Sequence, residues 1–203
     1  MPHFILPKKD GEIRLMQDCR KLNSYILCQQ YVLPLIQDLF LRRRNYKFLT
    51  KIDLRMQYYS FVLDDESSWL WVFITIFRKC HCLRLPMGLS QSPDWAQATM
   101  EQVFFDMLHE LDCYLDDMSV FYLLWTNHIP KLDRVLGRLH SNGFSVNPLK
   151  CEWGVKETDF LGYWMTPTGL KPWLKRIEPI LALAKPETTK QLRGFIGMTN
   201  YYR

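Results

Sequence analysis

The sequence predicts an α+β fold in which helices cover one face of an antiparallel sheet. Strand-like apolar runs and amphipathic helical patterns interleave along the chain, with hairpins in place of regular strand–helix–strand crossovers. The length of 203 residues suffices for a domain with a substantial core. A composition of 48% hydrophobic and 23% charged residues is typical of a folded globular protein and excludes a disordered one.

The part of the chain before residue 78 is predicted to contain several strands. An Asp-Gly turn pair at 10–11 separates two apolar runs in FILPKKDGEIRLMQ, which predicts a hairpin. FLTKID predicts an apolar strand that ends at Asp53. The following segment, YYSFVLDDESSWLWVFITIF, is expected to form two more strands around its polar centre.

The middle of the chain predicts two amphipathic helices with a pair of strands between them. The first helix is expected to have Ser92 as its N-cap and Pro93 at its first position, with apolar residues recurring through Leu111. CYLDDMSVFY then predicts two short strands that flank its aspartates. The second helix, HIPKLDRVLGRLHSNG, is expected to carry Pro130 in its first turn and to end at Gly143.

The C-terminal part predicts a strand and turn in ETDFLGYWMTPTGL, followed by helix. Thr188 and Gln191 form a capping box that opens this helix. We expect one apolar face on it and therefore expect the chain to be truncated before a partner element; the face consists of Leu192, Phe195, Ile196 and Tyr202.

Charge and cysteine content restrict the functional classes. The net charge of +5 and pI of about 8.9 favour a polyanionic partner, although a bland basic surface would give the same values. The six cysteines follow no framework spacing, and the Cys80-His81-Cys82 cluster lacks the second ligand pair that a zinc site needs. We therefore expect free thiols and an intracellular, reducing location.

A membrane partner is not expected from the hydropathy pattern. The longest apolar stretch, WLWVFITIF, is far shorter than the about 20 residues of a membrane helix. The N-terminus also lacks the basic-then-apolar plan of a signal peptide.

Asp116 and Asp117 are adjacent carboxylates within an apolar, strand-like run. Burying a carboxylate costs several kcal/mol unless a partner neutralises it, and the nearest cations in sequence are Arg84 and Lys131. Asp53, at the end of another apolar strand, is the best candidate for a third carboxylate. Carboxylates at strand ends within one sheet would form a hard-oxygen site for Mg²⁺ suited to phosphoryl transfer.

Two other interpretations of the aspartates stay open at this point. Aspartate is common in tight turns, so both side chains could simply be solvated. A pair of carboxylates could also cleave a glycosidic bond, which would require an aromatic sugar cleft that the seven tryptophans do not exclude.

Ordered motifs across the chain resemble the reverse transcriptase of gypsy-type (Metaviridae) LTR retrotransposons. They occur in the order and spacing of that family and span nearly the whole chain: ILPKKDGEIRLMQDCRKLN, KIDLRMQYYS, LPMGLSQSPDWAQ, YLDDMSVF, NGFSVNPLKCEWGVKETDFLGYWMTPTGLKP and TKQLRGFIGMTNYYR. The YLDD box is weak evidence alone, whereas the ordered set is specific.

The resemblance implies a right-hand polymerase: fingers and an antiparallel palm sheet backed by helices over about 1–170, and the first, truncated thumb helices over about 171–203. It implies an RNA-directed DNA polymerase that adds nucleotides to a primer 3′-hydroxyl by a two-metal mechanism with Mg²⁺, or Mn²⁺. The implied catalytic and metal-binding residues are Asp53, Asp116 and Asp117, with the Leu54 carbonyl as a further metal ligand.

The resemblance also implies binding residues around these aspartates. Residues implied to bind the nucleotide are Lys8, Arg14, Arg55, Tyr58 and Met87. Residues implied to border template or primer are Pro86, Gly88, Ser92, Pro93, Gln97, Leu161, Gly162 and Tyr163. Tyr58 would lie under the sugar and exclude a 2′-hydroxyl, and Lys150 would be a proton donor to the leaving pyrophosphate.

The implied partners are a primed RNA or DNA template, deoxynucleotides and the rest of a Pol polyprotein, in cytoplasmic particles if the element is active.

Two features depart from the family pattern: Gln57 stands where a small residue is usual, and the 67–82 segment is atypical. Gln57 could crowd the triphosphate or could point away from it. An impaired remnant that binds nucleic acid without chemistry is therefore the alternative.

Overall fold

A computed structural model of the protein describes residues 2–7, 11, 13–27, 31–42 and 45–200. The strands are β1 (His3–Pro7), β2 (Ile13–Gln17), β3 (Phe48–Asp53), β4 (Val72–Ile74), β5 (Lys79–His81), β6 (Leu111–Tyr114), β7 (Asp117–Tyr122), β8 (Glu152–Val155), β9 (Thr158–Phe160), β10 (Tyr163–Thr166) and β11 (Gly169–Pro172). The helices are α1 (Arg20–Asn23), α2 (Ile36–Arg42), α3 (Asp65–Leu70), α4 (Ser92–Val103), α5 (Trp125–Ser141), α6 (Leu174–Leu181) and α7 (Thr189–Asn200), with 3₁₀ turns at Gln57–Ser60 and Phe105–Met107.

The central sheet is antiparallel, with the strand order β6-β7-β3-β8. Side chains alternate between its two faces. One face packs against α4 and α5 and forms the main core, which includes Ile52, Met100, Met118, Val120 and Leu139. The predicted α+β fold with helices over an antiparallel sheet is therefore confirmed.

The other face of the sheet is divided into an apolar part and a polar part. Leu49 and Phe121 face each other across β3 and β7 and pack with Phe40 of α2 and Phe160 of β9. Toward the other end of these strands, the same alternation places Lys51, Asp53 and Asp117 on this face. The face that the two large helices leave uncovered thus carries the acidic residues.

The segment after Tyr58 corrects the prediction of two strands around a polar turn. Its polar centre is the helix α3, because Asp64 caps it: the Asp64 carboxylate accepts the Ser67 N–H at 2.7 Å. The acidic Asp65 and Glu66 occupy its first turn, where the helix dipole favours negative charge. The short strands β4 and β5 follow it and form a separate hairpin.

The predicted helix from Ser92 to Leu111 is shorter than expected. It ends at Val103 and continues as a 3₁₀ turn, because the chain must reverse so that Leu111 can pair with Val120 in the sheet. Ser92 is the first helical residue rather than the N-cap, and its hydroxyl lies 3.4 Å from the Pro86 carbonyl.

The second helix begins earlier than predicted. The His128 N–H already donates to the Leu124 carbonyl, so α5 starts at Trp125 and Pro130 lies in its second turn. The predicted end is confirmed: Gly143 has φ of 76°, and the N–H groups of Gly143 and Phe144 donate to His140 and Leu139. These two bonds define a Schellman motif, which favours glycine at the left-handed position.

The C-terminal region also contains more strands than predicted. ETDFLGYWMTPTGL forms β9, β10 and β11, a three-stranded antiparallel meander, instead of a strand and turn. The capping box of α7 is confirmed, because the Thr188 hydroxyl accepts the Gln191 N–H and the Gln191 side chain accepts the Thr188 N–H. Leu192 and Ile196 are exposed on α7, and Tyr202 lies outside the described residues.

In the described part of the chain, no helix combines the length and the apolar character that crossing a bilayer requires.

Candidate active site

Three aspartates meet at one end of the central sheet. Asp53 is the last residue of β3, Asp117 is the first residue of β7, and the two are Cα partners in the antiparallel register. Directly opposed residues in such a ladder have Cα atoms about 4.5–5.5 Å apart. Asp116 precedes Asp117, and its carbonyl accepts the Leu54 N–H at 3.1 Å. Strand pairing thus brings the backbones of the predicted site aspartates together, and the convergence of their carboxylates stays a prediction.

Burial, with repulsion between carboxylates as a smaller cause, disfavours the charged forms of Asp53 and Asp117. Burial, and then the neighbouring Asp116 carboxylate, raise the pKa of Asp117 to about 6, although the Lys51 ammonium opposes the shift. Burial also raises the pKa of Asp53; Lys150 and Lys51 oppose this shift, and Asp116 adds to it. Burial is therefore the main reason that the charged forms of these carboxyls are disfavoured, and the facing lysines offset only part of that effect.

The loop after α5 holds the end of β3 through hydrogen bonds to the β3 backbone and to the residues that follow it. The Asn147 N–H donates to the Asp53 carbonyl at 2.9 Å, and the Asp53 N–H donates to Cys151 Sγ at 3.4 Å. The Arg55 N–H donates to the Ser145 carbonyl at 2.7 Å. The same loop carries Lys150, the predicted proton donor, whose charge acts on Asp53.

The turn between β6 and β7 is held by two glutamine side chains. Leu115 has a left-handed backbone, with φ of 53°, and its N–H donates to Gln97 Oε1 at 2.8 Å. Gln97 Nε2 also donates to the Cys113 carbonyl at 3.0 Å, while Gln57 Nε2 donates to the Leu115 carbonyl at 3.1 Å. Gln97 is completely buried, and its side chain binds this turn. Its predicted contact with the template stays a prediction.

The predicted nucleotide-binding residues are only partly described. Burial, and then the Asp116 carboxylate, raise the pKa of Tyr58, which places its half-buried phenol near the aspartates. Arg55 is exposed directly after Leu54, and Met87 is half-buried. Lys8 lies outside the described residues, and of Arg14 the structure describes the backbone in β2 but not the side chain.

The predicted template and primer residues lie in two places. Around the start of α4, Pro86 and Ser92 are buried and Pro93 is half-buried, while Gly88 has φ of 105°; an added Cβ there would lie 3.3 Å from the Gln17 carbonyl. This close approach and positive φ favour glycine.

The second group forms the turn between β9 and β10. Leu161 and Gly162 both have left-handed backbones, and Tyr163 packs edge-on against Phe40, with ring centroids 5.6 Å apart. This turn borders the core beneath α2, and its primer role stays a prediction.

The aspartate cluster fits a divalent ion that takes few protein ligands. No three His, Cys, Asp or Glu side chains in the described ranges form a preformed metal cage. Mg²⁺ usually keeps several waters and binds through one or two carboxylates and substrate phosphates, which suits the carboxylate oxygens of Asp53, Asp116 and Asp117. The Cys80-His81-Cys82 cluster is a separate place in the fold, where His81 Nδ1 lies 3.1 Å from the Ser68 hydroxyl and Cys80 and Cys82 are free thiols.

The sequence interpretation missed several residues that contact the site. Lys51 was detectable, since it lies two residues before Asp53 and strand alternation puts both on one face. Cys151 and Asn147 come from a loop about a hundred residues away and carry no local signal.

Residues 6–165 match the family described as "Reverse transcriptase (RNA-dependent DNA polymerase)". The whole chain is 30% identical to a retrovirus-related Pol polyprotein from transposon 297 of Drosophila melanogaster and 28% identical to the transposon Tf2-3 polyprotein of Schizosaccharomyces pombe. The chain spans 20% of the first relative and 15% of the second.

Solved structures show the same fold. The chain matches, over its full length, a foamy viral protease-reverse transcriptase in complex with double-stranded DNA, with a TM-score of 0.85 and 25% identity, covering 36% of that chain. A foamy viral protease-reverse transcriptase in complex with an RNA/DNA hybrid gives a TM-score of 0.84 at 23% identity; this chain is covered fully and that chain to 27%.

Proposed function

Because the chain belongs to the reverse transcriptase (RNA-dependent DNA polymerase) family, we propose that it is an RNA-directed DNA polymerase module, a nucleotidyltransferase of a retrotransposon polyprotein. The observation that supports this most directly is the register of the sheet, which pairs Asp53 with Asp117 and leaves Asp116 beside them. Residues 1–170 would form fingers and palm, and 171–203 the first thumb helices.

Reverse transcriptases in general use divalent metal ions, and we propose Mg²⁺ here. When bound, the ions would polarise the reacting oxygens and neutralise charge on the phosphates. Asp53, Asp116 and Asp117 would hold them, with the Leu54 carbonyl as a further ligand. The raised pKa of Asp117 supports this assignment, since a bound cation would favour the charged form that burial and the Asp116 carboxylate disfavour.

The chain's own residues would then position the reactants. The primer 3′-hydroxyl attacks the α-phosphate of the incoming deoxynucleotide, and pyrophosphate leaves. Tyr58, half-buried near Asp116, would lie beneath the sugar and exclude a 2′-hydroxyl. Lys150, whose charge acts on Asp53, would supply a proton to the leaving pyrophosphate.

A primed RNA or DNA template is the proposed partner. The foamy viral neighbours hold an RNA/DNA hybrid or double-stranded DNA, and both relatives are polyproteins much longer than this chain. We therefore propose that the module acts within a larger Pol polyprotein, in cytoplasmic particles.

The test is primer extension by a chimaera in which this chain replaces the matching segment of the transposon 297 polyprotein. We expect extension on an RNA template with Mg²⁺, and a loss of at least about a thousandfold in Asp116→Asn, since electrostatic stabilisation is usually the largest catalytic contribution. A chimaera that binds primer-template but does not extend it would identify a binding remnant and contradict the proposal.

A further inference from the structure

Gln57 is the residue at which this chain departs from the small residue of the family pattern. It opens the 3₁₀ turn Gln57–Ser60, directly after Met56, whose backbone is left-handed with φ of 50°. Only 2% of Gln57 is exposed. A side chain with so little free surface cannot provide much contact to a nucleotide, so crowding of the triphosphate is not its main interaction.

The Gln57 side chain is directed instead at the turn between β6 and β7. Its Nε2 donates to the Leu115 carbonyl at 3.1 Å, across 58 positions of sequence. Its Oε1 is buried and has no hydrogen-bond partner among the described residues. Burying a carboxamide with one group unsatisfied is unfavourable, so the bond to Leu115 must offset that cost for the arrangement to persist.

Leu115 is a residue that needs external support. A left-handed backbone is unfavourable for leucine, since its Cβ approaches the following carbonyl too closely. Side chains satisfy both of its backbone polar groups: Gln97 Oε1 accepts its N–H, and Gln57 Nε2 donates to its carbonyl. The two side-chain amides thus stabilise the strained residue through its N–H and its carbonyl.

The hydrogen bonds that hold Leu115 also restrain the neighbouring Asp116, one of the proposed catalytic residues. Leu115 and Asp116 are consecutive, and the Asp116 carbonyl accepts the Leu54 N–H at 3.1 Å. Leu54 and Gln57 belong to one short segment after β3, so this segment binds two successive carbonyls of the turn. These bonds fix the position of the Leu115–Asp116 peptide relative to Asp53.

We infer that Gln57 is a positioning residue, which holds the Asp116 carboxylate in register with Asp53 through the Leu115 carbonyl. The inference rests on the proposed function for its catalytic consequence but not for its structural one. The small residue of the family pattern has no side-chain amide and cannot make this bond.

The structural test uses Gln57→Met, which keeps the side-chain length but cannot donate. In the 203-residue chain we expect amide hydrogen exchange in peptides covering 111–122 to rise by about tenfold, as expected for losing one buried hydrogen bond. Exchange in peptides covering β10 and β11 should stay unchanged. Gln102→Met, an exposed position on α4, is the matched control and should change neither region.

The catalytic test uses the transposon 297 chimaera. Gln57→Met should lower kcat about tenfold and change the KM for deoxynucleotide by less than about threefold, because the lost bond acts on positioning and not on substrate contact. An inactive parent chimaera would contradict the proposed function and leave the exchange result to decide the inference.

Gln57→Gly, the residue type of the family pattern, is the second variant and replaces Gln57→Met if the latter fails to fold. The same losses are expected from it. Unchanged exchange at 111–122 in a folded variant, or faster extension by Gln57→Gly, would overturn the inference and favour crowding of the triphosphate instead.

Discussion

At the scale of single residues, the site concentrates like charges that the fold alone does not neutralise. Asp53 and Asp117 are opposed in the sheet, and Asp116 adjoins them, while Lys51 and Lys150 compensate only in part. Functional sites commonly retain such unfavourable charge because the substrate or ion needs it. The arrangement should therefore reduce the stability of the metal-free protein.

Asp117→Asn should stabilise the protein in chelator-containing buffer at pH 7. The pKa of Asp117 is raised to about 6, so the folded state binds its proton more tightly than the unfolded state, and stability falls as pH rises from about 4 to 6. Removing the charge should raise the free energy of unfolding by about 1–2 kcal/mol, after allowance for solvent screening.

The measurement is the urea midpoint of wild type and Asp117→Asn. Asp133→Asn, at an exposed position on α5, should shift the free energy of unfolding by less than about 0.5 kcal/mol. A lower midpoint for Asp117→Asn would show that the carboxylate is already compensated in the fold.

Tyr58→Ala should increase ribonucleotide use relative to deoxynucleotide by at least about tenfold, since the ring would no longer exclude a 2′-hydroxyl. Tyr58→Phe keeps the ring and should retain the preference. Incorporation assays with both nucleotide types on the active chimaera provide the ratio.

Tyr58 could instead be a core residue. In that case Tyr58→Ala should lose about 3 kcal/mol or more of stability without a change in sugar preference.

At the scale of elements, a buried histidine joins α5 to the central sheet. His128 is fully buried, and its Nε2 lies 2.7 Å from the Thr50 hydroxyl on β3, which also accepts the Gly154 N–H of β8. The Trp125 ring stacks on it, with centroids 5.5 Å apart. Burial lowers the pKa of His128, so the neutral imidazole is part of the packed structure.

Protonation of His128 should therefore destabilise the fold below neutral pH. Because its pKa is lower in the folded state, the unfolded chain takes up the proton first, as pH falls below about 6.5. The free energy of unfolding should therefore fall between pH 7 and pH 5.

The comparison that isolates this effect is His128→Gln against His140→Gln, an exposed histidine on the same helix. His140→Gln should keep the pH dependence of the urea midpoint, and His128→Gln should reduce it. Equal pH dependence in the two variants would show that His128 does not titrate in this range.

At the scale of the whole molecule, the net charge of +5 should support binding to nucleic acid without sequence preference. Exposed basic residues include Arg42 at the end of α2, whereas Lys8, Lys9, Arg43 and Arg44 lie outside the described residues. Affinity for primer-template should fall with salt, because each neutralised phosphate contributes about 0.9 to the log–log slope on duplex DNA.

Arg42→Gln should reduce this slope by about 1. Arg138→Gln is the control, since the Arg138 guanidinium is already bound to Asp106 by both of its terminal nitrogens. Salt-independent affinity of the wild-type chain would exclude phosphate-driven binding.

The sequence by itself determined the family, the β1–β2 hairpin, the strands β6 and β7, and the strand-end positions of Asp53 and Asp117. It also determined the two helix ends that have local chemical signals, the Gly143 stop and the Thr188 cap. These features depend on local patterns, such as turn residues, alternation and capping, or on ordered motifs that are visible without coordinates.

Only the tertiary structure decided how these parts meet. The helix before β6 ends at Val103, although its apolar pattern continues, because Leu111 is needed in the sheet. The bond from Gln57 to Leu115 spans 58 positions, and the bond from Asp53 to Cys151 spans 98. Such contacts follow from loop closure and packing of distant segments, and no local periodicity of the sequence encodes them.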